Sequence, residues 1–138
     1  MPFQLHITGL LLISGLFMAA TPKPVAPPAP TLISPVNGAV MDNGCKPKQN
    51  NVTWDFDWSD VPGATAYHIK VWRNPAIPFV NDMNVPSSSY HLDKPTGFFV
   101  NNNLTGWRWT VRAKVHGAWG PWAVARWFRI EKLNTDCP

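Results

Sequence analysis

The sequence predicts an all-β fold, a seven-stranded antiparallel Greek-key sandwich. Three observations predict it. Apolar and polar residues alternate over several short runs. Fifteen prolines and nine glycines punctuate those runs. Beyond the N-terminal segment nothing sustains a 3.6-residue period over three turns. A hydrophobic content of 45% supplies a core, so a globally disordered chain is excluded. The length of 138 residues suits one ordinary domain. The net charge is +4, but the basic residues are scattered without a run of five, so nucleic acid is not implied as a partner.

The elements follow in order. Residues 1–20, MPFQLHITGLLLISGLFMAA, read as a secretory signal peptide. Ile7–Ala20 is an uncharged apolar stretch of 14 residues, too short for a comfortable membrane span. An uncleaved anchor is the alternative, because no Lys or Arg precedes the apolar run and Met18 stands where a smaller residue is usual. Export would leave the chain secreted, periplasmic or at the cell surface, with no span once the signal is removed. Thr21–Pro30, with five prolines in ten residues, reads as a stiff polyproline-like linker that holds the domain away from what precedes it. A ligand for a proline-reading partner is the alternative there. The domain occupies residues 31–138.

Thr31–Ser34 is the first expected strand, ended by the turn at Pro35–Gly38. Val52–Trp58 alternates strictly, with Val52, Trp54, Phe56 and Trp58 on one face and Thr53, Asp55 and Asp57 on the other. Ala66–Trp72 alternates again, with Tyr67, Ile69 and Val71 inward. Pro75 and Pro78 bracket a short edge strand around Phe79 and Val80. Ser88–Leu92 is a further candidate. In Gly106–Val115, Trp107, Trp109, Val111 and Ala113 oppose Arg108, Thr110, Arg112 and Lys114. Trp122–Ile130 closes the set, with Phe128 and Ile130 inward. The expected core is therefore built on Trp54, Trp58, Tyr67, Trp107, Trp109 and Phe128. The adjacent pair Phe98 and Phe99, in the long insertion Asp93–Asn103, cannot both point inward from a strand.

Four stretches carry a resemblance: SPVNG at 34–38, FDWSDVPGATAYHIKVW at 56–72, LTGWRWTVRA at 104–113, and WGPW with RWFRI at 119–130. Together they resemble a fibronectin type III-like, immunoglobulin-like domain across roughly Pro30–Glu131. Trp58 matches the family's core tryptophan on the second strand, and Tyr67 its tyrosine on the third. Trp107 stands where the family has its corner tyrosine; an indole donates a hydrogen bond but cannot accept one. The resemblance implies a fold and says little of function.

Two cysteines, Cys45 and Cys137, are expected to pair once the chain is exported. The sandwich topology brings the loop after the first strand and the tail after the last to the same pole. A bond there would stabilise by about 4 to 5 kcal/mol in the chain-entropy view.

No chemistry is legible. His6, His68, His91 and His116 are too dispersed for a metal site. Asp55 and Asp57 share an exposed strand face rather than flanking a cleft. Ser87–Ser89 lacks the glycines of a nucleophile elbow. No catalytic residue, metal ligand or cofactor is expected, and the chain is read as a non-enzyme. Asn51-Val-Thr53 and Asn103-Leu-Thr105 fit the glycosylation pattern.

Five of the eight tryptophans fall within Trp107–Phe128. Trp119-Gly-Pro-Trp122-Ala is similar to the Trp-Ser-X-Trp-Ser segment of cytokine-receptor fibronectin domains. That resemblance implies that Trp119 and Trp122 fold over the sheet and stack on Arg108 and Arg112. Trp127, opposite in parity to Phe128, is expected on the same outer face beside Arg129, Lys70 and Trp72. Two readings compete. In the first, the ladder is structural and the domain serves protein–protein contact or adhesion at the cell envelope, including docking into an assembly through an edge strand. In the second, Trp72, Trp119, Trp122 and Trp127 form a flat row that stacks on a glycan. Solvent exposure of the indole faces separates them.

Overall fold

A computed structural model describes residues 14–45, 51–95 and 103–132. Among them are nine strands: β1 (Leu32–Ser34), β2 (Ala39–Met41), β3 (Asn51–Trp58), β4 (Ala64–Trp72), β5 (Val80–Val85), β6 (Ser89–Pro95), β7 (Trp107–Val115), β8 (Ala118–Trp119) and β9 (Arg126–Ile130). One sheet has the order β1-β3-β6, and the other β2-β9-β7-β4-β5 with β8 beside β7. The two sheets form an all-β sandwich, the architecture that the sequence resemblance implies.

Two strands exceed the sequence expectation, for physical reasons. The first run breaks at Pro35–Gly38 and changes sheets, so β1 pairs with β3 while β2 pairs with β9. The β2–β9 pair is parallel, so the sandwich is not wholly antiparallel. The last run, expected from Trp122, forms a strand only over Arg126–Ile130, between β2 and β7, while the separate short β8 pairs with the end of β7 ahead of it. The edge strand near Phe79 also runs further, through Asn81, Asp82, Met83 and Asn84.

The core forms where the inward residues of both sheets meet. Trp54 is its centre, 1% exposed, with ring centroids 5.4 Å from Phe79, 5.5 Å from Trp107 and 5.4 Å from Phe128. Trp58 packs edge-on against Tyr67, and Phe56 lies tilted against Trp109. Trp107 and Phe128 are stacked as cross-strand partners. The Tyr67 hydroxyl accepts the Val61 N–H at 3.0 Å. The Trp107 indole N–H donates to the Asn103 carbonyl at 2.7 Å. That is the bond a corner tyrosine makes to upstream backbone, and since it needs only a donor, an indole supplies it.

Cys45 is buried, its N–H donating to the Asn43 side chain at 2.9 Å. Cys137, Phe98 and Phe99 lie outside the described residues, as does the expected signal segment up to residue 13.

The Pro-rich segment does not stand wholly clear of the domain. Pro30 is buried, and Pro27 lies against Gly120. A Cβ on Gly120 would stand 2.8 Å from the Pro27 ring and 3.1 Å from its carbonyl oxygen. Gly120 takes the place that serine holds in the similar receptor segment, and here the proline fills the space a side chain would need.

Candidate functional site

The outward face of β4, β7 and β9 is set by register. His68 lies opposite Arg112, Lys70 opposite Thr110, and Trp72 opposite Arg108, which in turn faces Trp127. The segment from Trp119 to Ala123 is laid along the edge of β7 by backbone bonds: Gly120 N–H to the Ala113 carbonyl at 2.8 Å and Ala123 N–H to the Val111 carbonyl at 2.9 Å. The buried Thr110 hydroxyl donates to the Ala123 carbonyl at 2.7 Å. These bonds aim two indoles back over the sheet.

The result is an alternating stack. The Arg112 guanidinium lies 4.5 Å from the Trp122 ring centroid and 4.9 Å from that of Trp119. Lys70 approaches Trp122 at 5.1 Å, and Lys114 approaches Trp119 at 5.6 Å. Each indole therefore has two cations within cation–π range. Both are half-buried.

Arg108 does not take part as the resemblance implied. Its guanidinium turns to its own strand and donates to the Trp107 carbonyl at 3.3 Å. Spacing explains this. Trp119 pairs with Lys114, and Ala123, next to Trp122, is bonded at Val111, so Arg112 falls between the indoles. Arg108 is four residues further on, about 13 Å along the strand. It stands exposed in a different row, Trp72–Arg108–Trp127. Trp127 is 47% exposed and rests on Gly38, whose φ is +79° and where a Cβ would meet the ring at 2.9 Å. The Trp127 N–H donates to the Asn37 side chain at 3.0 Å, which fixes this end of β9 to the turn before β2. Trp72 is half-buried. A groove of about 350 Å³ lies between Trp72 and Trp122, lined also by Lys70, Pro75, Pro78 and Thr110.

Alternation under-read Thr110, buried beneath Ala123, and above all His68. Parity puts it on the outer face, yet it is 3% exposed, because Trp119 and Trp122 cover it at 5.6 and 4.7 Å. Arg112 Nε can only donate, so His68 Nδ1 accepts its bond at 3.2 Å. The ring proton then sits on Nε2 and is donated to Asn81 Oδ1 at 2.7 Å. The arrangement holds a neutral imidazole. Its pKa is held below the ordinary histidine value, chiefly by burial; the Asn81 bond raises it, Arg112 and Lys70 lower it, and Asp82 raises it.

A folded-state pKa below the unfolded one means that the unfolded chain takes up the proton first. The contribution of His68 to stability is therefore complete above about pH 6.5 and is lost as pH falls through the folded-state value. Unfolding free energy measured from pH 8 down to about pH 5 should decline in this window, and His68→Gln should remove part of the decline. Identical pH profiles for the two proteins would refute the assignment.

Among the described residues, no group of three or more His, Cys, Asp or Glu could hold a metal ion, and no helix is long and apolar enough to cross a membrane.

No protein family model matches the chain, and no curated protein matches it. Among solved structures, the chain is similar to a Fn3-like protein from Clostridium thermocellum, at 23% identity and a TM-score of 0.49, over 80% of this chain and 99% of that one.

Proposed function

We propose that the chain is a non-catalytic, exported module that binds a protein partner at the cell envelope through the outward face of β4, β7 and β9. One observation carries this reading: the face divides into a closed part and an open part. Lys70, Arg112 and Lys114 already crowd Trp119 and Trp122. The row Trp72–Arg108–Trp127 keeps an exposed arginine in register between two tryptophans, with Arg129 and Val40 beside it. Tryptophan and arginine are the side chains that dominate protein contacts when desolvated. In this reading Cys45 and Cys137 are bonded after export and fasten the tail to the domain.

The glycan alternative draws on the groove between Trp72 and Trp122. A sugar ring needs a bare indole face, and the Trp122 ring has Arg112 and Lys70 within 4.5 and 5.1 Å. The protein reading is therefore the stronger.

A photo-crosslinking residue at Val40, which is 51% exposed and in register with Arg129, tests it. In cells that make the protein, discrete heavier adducts should form and should disappear with Trp127→Ala. The absence of any adduct at Val40 or at Trp72 would sink the reading. Retention on insoluble polysaccharide, lost on Trp72→Ala or Trp122→Ala, would establish the glycan alternative instead.

A further inference from the structure

The two outer faces of the sandwich carry opposite charge. The outward positions of β3 and β6 are Thr53, Asp55, Asp57, Ser89, His91 and Asp93. Among the described residues, no Lys or Arg stands at these positions. Asp55 accepts from His91 Nδ1 at 2.6 Å with both side chains exposed, and Asn51 donates to Asp93. Lys94, at the end of β6, turns away to lie over the Phe79 ring at 4.6 Å. The outward positions of β4, β7 and β9 hold Lys70, Arg108, Arg112, Lys114 and Arg129, with no carboxylate among them. Sheets in a sandwich pack about 10 Å apart, so the molecule is electrically polar across its thin dimension.

Resting on the interaction-module reading above, we propose that the partner is a second copy of this chain. The Arg108–Trp127–Arg129 patch of one molecule docks on the aspartate face of the next. The charges match in spacing. Asp55 and Asp57, two residues apart on one strand, are separated by about 6.8 Å. Arg108 and Arg129 are diagonal neighbours on paired strands, about 7 to 8 Å apart. An arginine fork suits a carboxylate better than a lysine would. Apolar surface is available on both sides, Trp127 at 47% exposure on one face and Ile33 at 49% on β1 beside the other. The two patches lie on opposite faces, so the contact is heterologous. It does not close on itself, and each added molecule presents a fresh face. The charges are exposed, so the association is salt-labile.

Sedimentation velocity of the exported chain tests this. In about 0.01 M salt the weight-average sedimentation coefficient should rise with protein concentration, and in about 1 M salt it should return to that of a monomer. Asp55→Asn with Asp57→Asn should abolish the rise, and so should Arg108→Gln with Arg129→Gln. An equimolar mixture of the two variants joins one intact patch to one intact patch, so it should yield dimers and nothing larger. A wild-type chain that stays monomeric at low salt, variants that still assemble, or a mixture that stays monomeric would each overturn the proposal. If self-association fails while Val40 still crosslinks to a different protein, this inference alone falls. If Val40 and Trp72 give no adduct either, the interaction reading falls with it.

Discussion

Trp54→Ala should cost about 3 to 5 kcal/mol, the largest loss expected of any single substitution in this chain. Trp54 is the point where the two sheets and the edge near Phe79 meet. Its ring contacts Phe56, Phe79, Trp107 and Phe128. Its indole N–H also donates to the Asp42 carbonyl at 2.8 Å, while the Asp42 carboxylate accepts the Thr53 N–H at 3.0 Å. Removing the ring leaves a cavity that four aromatic neighbours cannot collapse to fill. It also orphans a backbone carbonyl just after β2. Domains of this size are stable by only about 5 to 15 kcal/mol, so such a loss is a large part of the total. Trp54→Phe keeps most of the volume and loses the hydrogen bond, and should cost about 1 to 3 kcal/mol. Denaturant unfolding of both variants measures the order. A Trp54→Ala chain within about 1 kcal/mol of the parent would refute the central role of this residue.

Arg112→Ala should be the most damaging change on the outer face, at about 2 to 4 kcal/mol, because the contributions that share this one side chain overlap rather than add. The guanidinium serves two indoles, each contact being worth about 0.5 to 2 kcal/mol depending on desolvation. It also donates to His68 Nδ1, and an unpartnered acceptor beneath the indoles costs a further 1 to 3 kcal/mol or so. The inward residues of β7 are untouched, so the far-ultraviolet signature should persist while tryptophan emission shifts to the red. Arg112→Lys retains the charge but not the planar fork, and should fall between the two. Double-mutant cycles of Arg112 with Trp119 and with Trp122 should both show coupling. No coupling in either cycle would mean that the stack is incidental to stability.

Alternation made the sandwich legible because it is a local property. Val52–Trp58 and Trp107–Val115 declare their inward faces without reference to any other strand. The same rule correctly divides Arg112 from Trp109. It was silent where a distant segment decides the outcome. His68 reads as an outer-face residue, and it becomes buried only because Trp119 and Trp122 fold back on it. Arg108 and Arg112 are equivalent by parity; only the pairing of Lys114 with Trp119 shows which one lies between the indoles. Ala39–Met41 is too short to signal a strand, and its parallel partner lies nearly ninety residues away. Asn81–Asn84 is polar because it lies in an edge strand, so its composition reads as loop.

The seat of Pro27 on Gly120 sets a tether length. If the domain grips the chain from Pro27 onward, only Thr21–Ala26 separates it from the end of the expected signal segment. At about 3.1 Å per residue, six residues in an extended polyproline form reach about 19 Å. Were the apolar segment retained in a bilayer, the domain would be held within about its own thickness of the surface. Its two charged faces would then be able to meet only neighbours anchored at the same height.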